Sequence, residues 1–198
     1  MGERYPQAVW WPGPDDKQGY GDLRTRTLKG AVVHSMEGLW QSAVAKLDST
    51  DATSWHFSIT YDGIVLQHLP LSAVAWHAGF YANCRWAGIE CEGRAGEPLT
   101  RQQVKALVAL LIWMYREEGW PRFKLEHDTG TLHEHCWYCA TACPSKRIQW
   151  SEVIKMATDV QTQLALLDAC QKLAALALEG KWQELVDALK VYWGVTAK

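Results

Sequence analysis

The stretch Trp55-His56-Phe57-Ser58-Ile59-Thr60-Tyr61-Asp62-Gly63-Ile64-Val65-Leu66 alternates with a period of two. Trp55, Phe57, Ile59 and Tyr61 fall on one side and His56, Ser58 and Thr60 on the other, which is the pattern of an extended strand. Asp62-Gly63 then supplies a two-residue turn, because glycine accepts positive φ, and Ile64-Val65-Leu66 returns. The reading is a β-hairpin over residues 55–69. Upstream, Ala31-Val32-Val33 is a short apolar run that ends on His34, with a helix following around 39–47. Downstream, Ala87-Gly88-Ile89-Glu90-Cys91-Glu92-Gly93 is a glycine-bounded strand that puts the acid Glu90 inside the sheet, where a carboxylate costs stability unless it is partnered or used.

Thr100 and Gln103 form a capping box, and Val104, Leu107, Val108, Leu111 and Tyr115 repeat at helical spacing until Gly119. Residues 123–126 read as another strand, and 127–144 as a loop crowded with His127, His133, His135, Cys136, Cys139 and Cys143. The order of elements implies an α/β fold with a mixed central β-sheet flanked by helices. Residues 1–29, rich in Pro, Gly and Asp, read as an extended arm. After Trp150 the composition changes. Val160, Leu164, Leu167, Cys170 and Ala174 make one amphipathic stripe, Glu179-Gly180 breaks it, and Trp182, Leu185, Val186, Leu189 and Trp193 make a second. The division expected is 1–150 as a main domain and 151–198 as a helical hairpin, whose apolar faces require the main domain, a second copy of the chain or a ligand outside it as partner.

The chain of 198 residues carries a net charge of −2, with no run of five like charges. It lacks the basic face that nucleic-acid phosphates demand. No stretch approaches the roughly 18–20 apolar residues of a membrane span, and the start shows no export signal. Six cysteines are too few and too uneven for a disulfide scaffold, and three of them lie within eight residues of one another beside histidines, which points to metal or thiol chemistry. A catalytic zinc site needs three protein ligands and one open position, and His and Cys are donors that zinc accepts. Cys136 and Cys139 form a Cys-x-x-Cys pair that reads as a disulfide or as inert thiols. Twelve tryptophans against three phenylalanines suggest core, or surfaces that stack on sugar or peptide.

Five motifs then recur in order: Val32-Val33-His34-Ser35, the hairpin with Trp55-His56-Phe57-Ser58, Ala75-Trp76-His77-Ala78-Gly79, Gly88-Ile89-Glu90, and Thr141-Ala142-Cys143-Pro144. Over residues 5–150 the chain resembles the type-2 N-acetylmuramoyl-L-alanine amidases, the zinc enzymes related to peptidoglycan recognition proteins, and phage endolysins above all. The resemblance implies Zn²⁺ held by His34, Cys143 and a middle histidine eight residues before that cysteine, which is His135, with His133 as the neighbouring alternative. It implies Glu90 as proton shuttle, Thr141 as an oxyanion donor where some relatives carry lysine, and His77, Trp55 and Trp76 along the substrate groove.

Trp55 departs from the family, which carries a tyrosine there, and an indole N–H cannot act as a base. The bland readings are a turn histidine for His77 and a carboxylate paired with Arg85 or Arg94 for Glu90. The activity implied is hydrolysis of the amide between N-acetylmuramic acid and L-alanine by an endolysin held in the host cytoplasm until release. The rival readings are a non-catalytic muropeptide-binding module and a cytosolic muropeptide-recycling amidase.

Overall fold

The structure is a computed structural model that describes residues 4–19 and 28–192. Among the described residues six strands, β1 (Val9–Trp10), β2 (Gly30–Ser35), β3 (Phe57–Ile59), β4 (Val65–Gln67), β5 (Trp86–Cys91) and β6 (Leu132–Glu134), form one sheet in the order β1-β4-β3-β5-β2-β6. Of these six, only β3 and β4 pair antiparallel, as the two arms of the hairpin, and Gly63 takes a φ of 80° in their turn. The sheet is therefore mixed, with β5 between β3 and β2 at its centre.

Alternation along the central strands divides the molecule into a packing face and a working face. Ala31, Val33, Phe57, Ile59, Ala87, Ile89, Cys91 and Leu132 all enter the main core. Against them lies α3 (Arg101–Glu118), which contributes Val104, Leu107, Val108, Leu110, Leu111 and Met114. Its start carries the expected capping box: the Gln103 N–H donates to Thr100 Oγ1 and the Thr100 N–H to Gln103 Oε1. It stops at Gly119, in the left-handed conformation. The alternate side chains of these strands, His34, Ser58 and Glu90, which are register partners across β2, β5 and β3, point to the other face. Helices α1 (Trp40–Leu47) and α2 (Gly79–Asn83) follow β2 and β4 in the chain.

On the working face a hydrogen-bond chain fixes its own polarity. The Trp55 indole N–H can only donate, and it reaches Ser58 Oγ at 2.9 Å. Ser58 therefore donates onward to His68 Nε2 at 2.8 Å, and His68 Nδ1–H donates to the Trp11 carbonyl at 2.7 Å. Burial, opposed only in part by the Trp11 bond, lowers the His68 pKa to about 4 from its ordinary 6.5. Above pH 6.5 His68 is neutral whether folded or unfolded; below it only the unfolded chain takes up the proton. Stability is thus lost as pH falls from 6.5 to 4, by about 3 kcal/mol at most for this one group. Unfolding free energy measured across that window should slope less steeply in His68→Gln than in the wild type.

The strand expected at 123–126 does not form. Phe123 is buried in the core, which gave the segment its strand-like apolar content, but only Leu125 makes a single bridge, to Leu132. The place beside β2 is taken by β6, inside the region expected to be a loop, with Val32 opposite His133. The 122–126 segment is tied to it through Thr131, whose N–H donates to the Lys124 carbonyl and whose hydroxyl donates to the Arg122 carbonyl.

The chain divides into two compact units, 1–157 and 158–198. Helix α4 (Trp150–Leu178) begins in the first, where Val153 and Ala157 are fully buried. The composition shift after Trp150 coincides with the start of this helix, and burial falls away along it after Ala157. In the second unit, the later part of α4 and α5 (Trp182–Tyr192) leave Leu166, Leu167, Leu178, Trp182 and Val186 exposed. Trp193 lies outside the described residues.

Candidate active site

The sheet register brings the first elements of the site together. His34 on β2 is the register partner of Glu90 on β5, and Glu90 is the partner of Ser58 on β3. Directly after β6 a 3-10 turn, His135–Trp137, swings His135 over the end of β2, and the Cys136 N–H donates to the Cys143 carbonyl at 2.8 Å. That bond folds the 136–143 loop back, so that Cys143 Sγ accepts the Ser35 N–H at 3.2 Å. One ligand atom from each of His34, His135 and Cys143 then lies within 4.8 Å of the others. The His34 and His135 rings are 4.5 Å apart.

A cleft of about 310 Å³ opens over this cluster. Trp55, His77, Glu90 and Thr141 line it together with the three donors. Trp76 lines an adjoining groove of about 520 Å³ that shares Thr53 and His77 with the cleft.

Residues 24–146 match the family model described as N-acetylmuramoyl-L-alanine amidase. The chain belongs to this amidase family. The amidase is accordingly an enzyme of peptidoglycan amide hydrolysis. Its fold is shared with the endolysin N-acetylmuramoyl-L-alanine amidase LysCS from Clostridium intestinale, at a TM-score of 0.58 and 21% identity over 77% of this chain and 95% of that one. A selenomethionine derivative of AmpD is similar at a TM-score of 0.60 and 20% identity, covering 77% of this chain and 96% of that one. PlyL, at 15% identity and a TM-score of 0.52, covers 93% of this chain and 96% of its own. No curated protein matches the amidase.

The two candidate middle histidines are separated by their hydrogen bonds. His133 Nε2 donates to the Gly130 carbonyl at 2.8 Å and Nδ1 accepts from the Tyr138 hydroxyl at 2.7 Å, so both ring nitrogens are engaged away from the cluster. Its ring packs against Trp86, and burial lowers its pKa to about 4. His135 is the histidine the fold brings to His34 and Cys143. His127 is exposed and pairs with Asp128 at 2.8 Å. Cys136 and Cys139 are free thiols, as are the other four cysteines.

Every group in the cluster resists charge. Burial, and then the neighbouring His77 and His135, push the His34 pKa well below 6.5. Burial, reinforced by Glu90, pushes the Cys143 thiol up to about 12. Glu90 is raised to about 8 by desolvation, against the attraction of Lys46. Neither Arg85 nor Arg94 pairs with it: Arg85 donates to the Tyr81 carbonyl and stacks on that ring. Glu90 Oε1 lies 3.8 Å from His34 Nδ1, and Oε2 is buried with no hydrogen-bond partner among the described residues. A carboxylate oxygen with no partner in a cleft beside two neutral imidazoles and a thiol has room for a reacting group.

Three residues of the site escape the sequence reading. Lys46 is the only Lys or Arg lining the cleft among the described residues, yet it sits in the last turn of α1, where a lysine reads as compensation of the helix dipole. Glu37 also lines the cleft. Burial opposes its charge, but the Ala95 N–H and the Ser145 hydroxyl hold its carboxyl below the ordinary value, which leaves it ionised. Arg147 is fully buried and donates to Ser35 Oγ and to the carbonyls of Cys91, Glu92 and Glu97, locking the ends of β2 and β5 together.

Proposed function

We propose that the amidase is a zinc enzyme that cuts the wall polymer between N-acetylmuramic acid and L-alanine as a phage or prophage endolysin. The observation that carries the zinc reading is the meeting of His34, His135 and Cys143, three donors from segments far apart in sequence, beside the partnerless oxygen of Glu90. Two imidazoles held neutral and one thiol form a borderline-soft set that suits zinc and leaves an open position toward the cleft. When bound there, zinc supplies a Lewis acid for the scissile carbonyl and lowers the pKa of water toward about 7.

The chain's own groups do the rest. In its ionised form Glu90 takes the proton of the attacking water on its open oxygen and passes it to the leaving amine of L-alanine, a role that Trp55 cannot share because its indole nitrogen is a donor only. Thr141 and Lys46 border the cleft where the carbonyl oxygen gains charge, Thr141 with a neutral hydrogen bond and Lys46 with the stronger charge-assisted one. The groove beside Trp76 continues the cleft and suits the stem peptide and sugar. The complete donor set and Glu90 support an enzyme over a non-catalytic muropeptide-binding module.

Digestion of purified sacculi is expected to release new L-alanine amino termini without new reducing sugar ends; reducing ends without amino termini would replace the amidase by a glycosidase. Turnover on intact sacculi should exceed turnover on soluble muropeptides, and the reverse order would assign the enzyme to muropeptide recycling. For the 158–198 unit, exposed apolar residues at helical spacing favour self-association over wall binding. Truncation after Ala157, which keeps the buried Val153 and Ala157, should lower the sedimenting mass and leave sacculus binding unchanged.

A further inference from the structure

His77 reads from sequence as a groove residue; it is only 8% exposed, and its ring is held at both nitrogens. Nε2 lies 3.1 Å from the Trp86 carbonyl, and a carbonyl can only accept, so Nε2 carries the proton. Burial beside the equally buried His34 disfavours charge on the ring, and in the neutral ring Nδ1 is then an acceptor. It stands 3.0 Å from His34 Nε2, which must donate to it. His34 therefore holds its proton on Nε2 and directs the bare lone pair of Nδ1 toward the cleft, where Glu90 Oε1 lies 3.8 Å away.

The surroundings are built to keep the His77 ring in this place. Asn83 Oδ1 accepts the N–H groups of His77 and Ala78 at 2.9 and 2.8 Å, fixing the backbone on either side of the His77 Cα. Across the sheet, Gly88 leaves room for the ring: a Cβ there would stand 2.7 Å from His77 Cγ, closer than side chains approach. Any larger residue at 88 would displace His77 and with it the bond to His34.

We infer that His77 is a positioning residue that selects the Nε2–H tautomer of His34 through the relay Trp86 carbonyl, His77, His34, and so presents His34 Nδ1 to the metal. This rests on the reading of His34, His135 and Cys143 as zinc ligands. The ligand's second nitrogen is then oriented by an imidazole backed by a carbonyl, and such outer partners are typically worth about 10–100-fold in metal affinity.

Two measurements test it. In the metal-free wild type, long-range ¹H–¹⁵N NMR should find the His34 ring as the Nε2–H tautomer. Zinc affinity, read by chelator competition on folded variants, should fall about 10–100-fold in His77→Leu. His77→Asn, whose amide oxygen can stand where Nδ1 stood, should keep affinity within about threefold, while His77→Gln, whose amide reaches toward the Nε2 position, should follow Leu. An Nδ1–H tautomer for His34, leucine binding zinc as tightly as histidine, or asparagine as weak as leucine would each overturn the inference. A wild type that takes up no zinc would remove the zinc reading itself, whereas a zinc-binding wild type with unchanged His77 variants would remove only the role of His77.

Discussion

Removal of zinc by a chelator should abolish wall lysis, and one equivalent of zinc should restore it, with Cys143→Ser and His135→Ala each lowering turnover by roughly 10³-fold or more, about 4 kcal/mol of lost transition-state stabilisation. The size follows from the donor count. A catalytic zinc site has three protein ligands, and removing one leaves two, too few to hold the ion in an enclosed cleft. Serine at 143 preserves the shape around the Ser35 N–H but offers a hydroxyl that does not ionise in the working pH range, so the soft anionic donor is gone. The control that gives the experiment its force is His133. Its two nitrogens are spent on Gly130 and Tyr138, so His133→Ala should retain zinc and lose stability, by about 1–3 kcal/mol for the partners left unpaired in the interior. Metal analysis of the purified variants decides: zinc kept by His135→Ala and lost by His133→Ala would reverse the ligand assignment.

The contrast between these two histidines shows where sequence reading carries and where it stops. Period-two alternation in the hairpin is local, and it separates Phe57 and Ile59 from Ser58; it groups Trp55 with Phe57, yet Trp55 precedes β3 and turns to the Ser58 side. The runs around His34 and Glu90 read only as strands, and it is their register that sets the two residues side by side. The α3 capping box is equally local and forms as written. The third edge of the site is not local. Strand β6 has three residues, of which only Leu132 is apolar, so no periodicity announces it, and the buried Phe123 drew the expectation of a strand to the neighbouring segment.

The remaining omissions share that cause. Lys46 lines the cleft only because the fold brings the last turn of α1 to it, and Arg147 is buried only because Cys91, Glu92 and Glu97 surround it with carbonyls. Read along the chain, Lys146-Arg147 is an ordinary solvated basic pair. The role of His77 is hidden for the same reason, since its partner His34 is 43 residues away and nothing in the intervening sequence ties the two rings.

Glu90→Gln should retain zinc and fold, leave KM little changed, and lower kcat by about 10²–10⁴-fold, the range that a positioned proton-transfer group supplies. Glutamine keeps the shape and one acceptor oxygen, so a purely structural carboxylate would survive the exchange; what it loses is the capacity to take a proton from water and return it to the amine. The loss should fall toward the upper end because the described residues lining the cleft hold no substitute. Glu37 is the other carboxylate there, but both of its oxygens accept hydrogen bonds, from Ser145 and Ala95, which hold it ionised and outward. Trp55 has no basic atom, and Ser58 and His68 are bound into a chain whose direction is fixed by the Trp55 donor at one end and the Trp11 carbonyl at the other. Lys46, exposed and cationic, can steady the developing oxyanion but cannot accept the first proton while charged. Single-turnover kinetics on zinc-loaded protein separates the chemical step from binding. A Glu90→Gln variant that turns over at the wild-type rate with zinc bound would remove Glu90 from proton transfer and leave the partnerless oxygen in the cleft without a function.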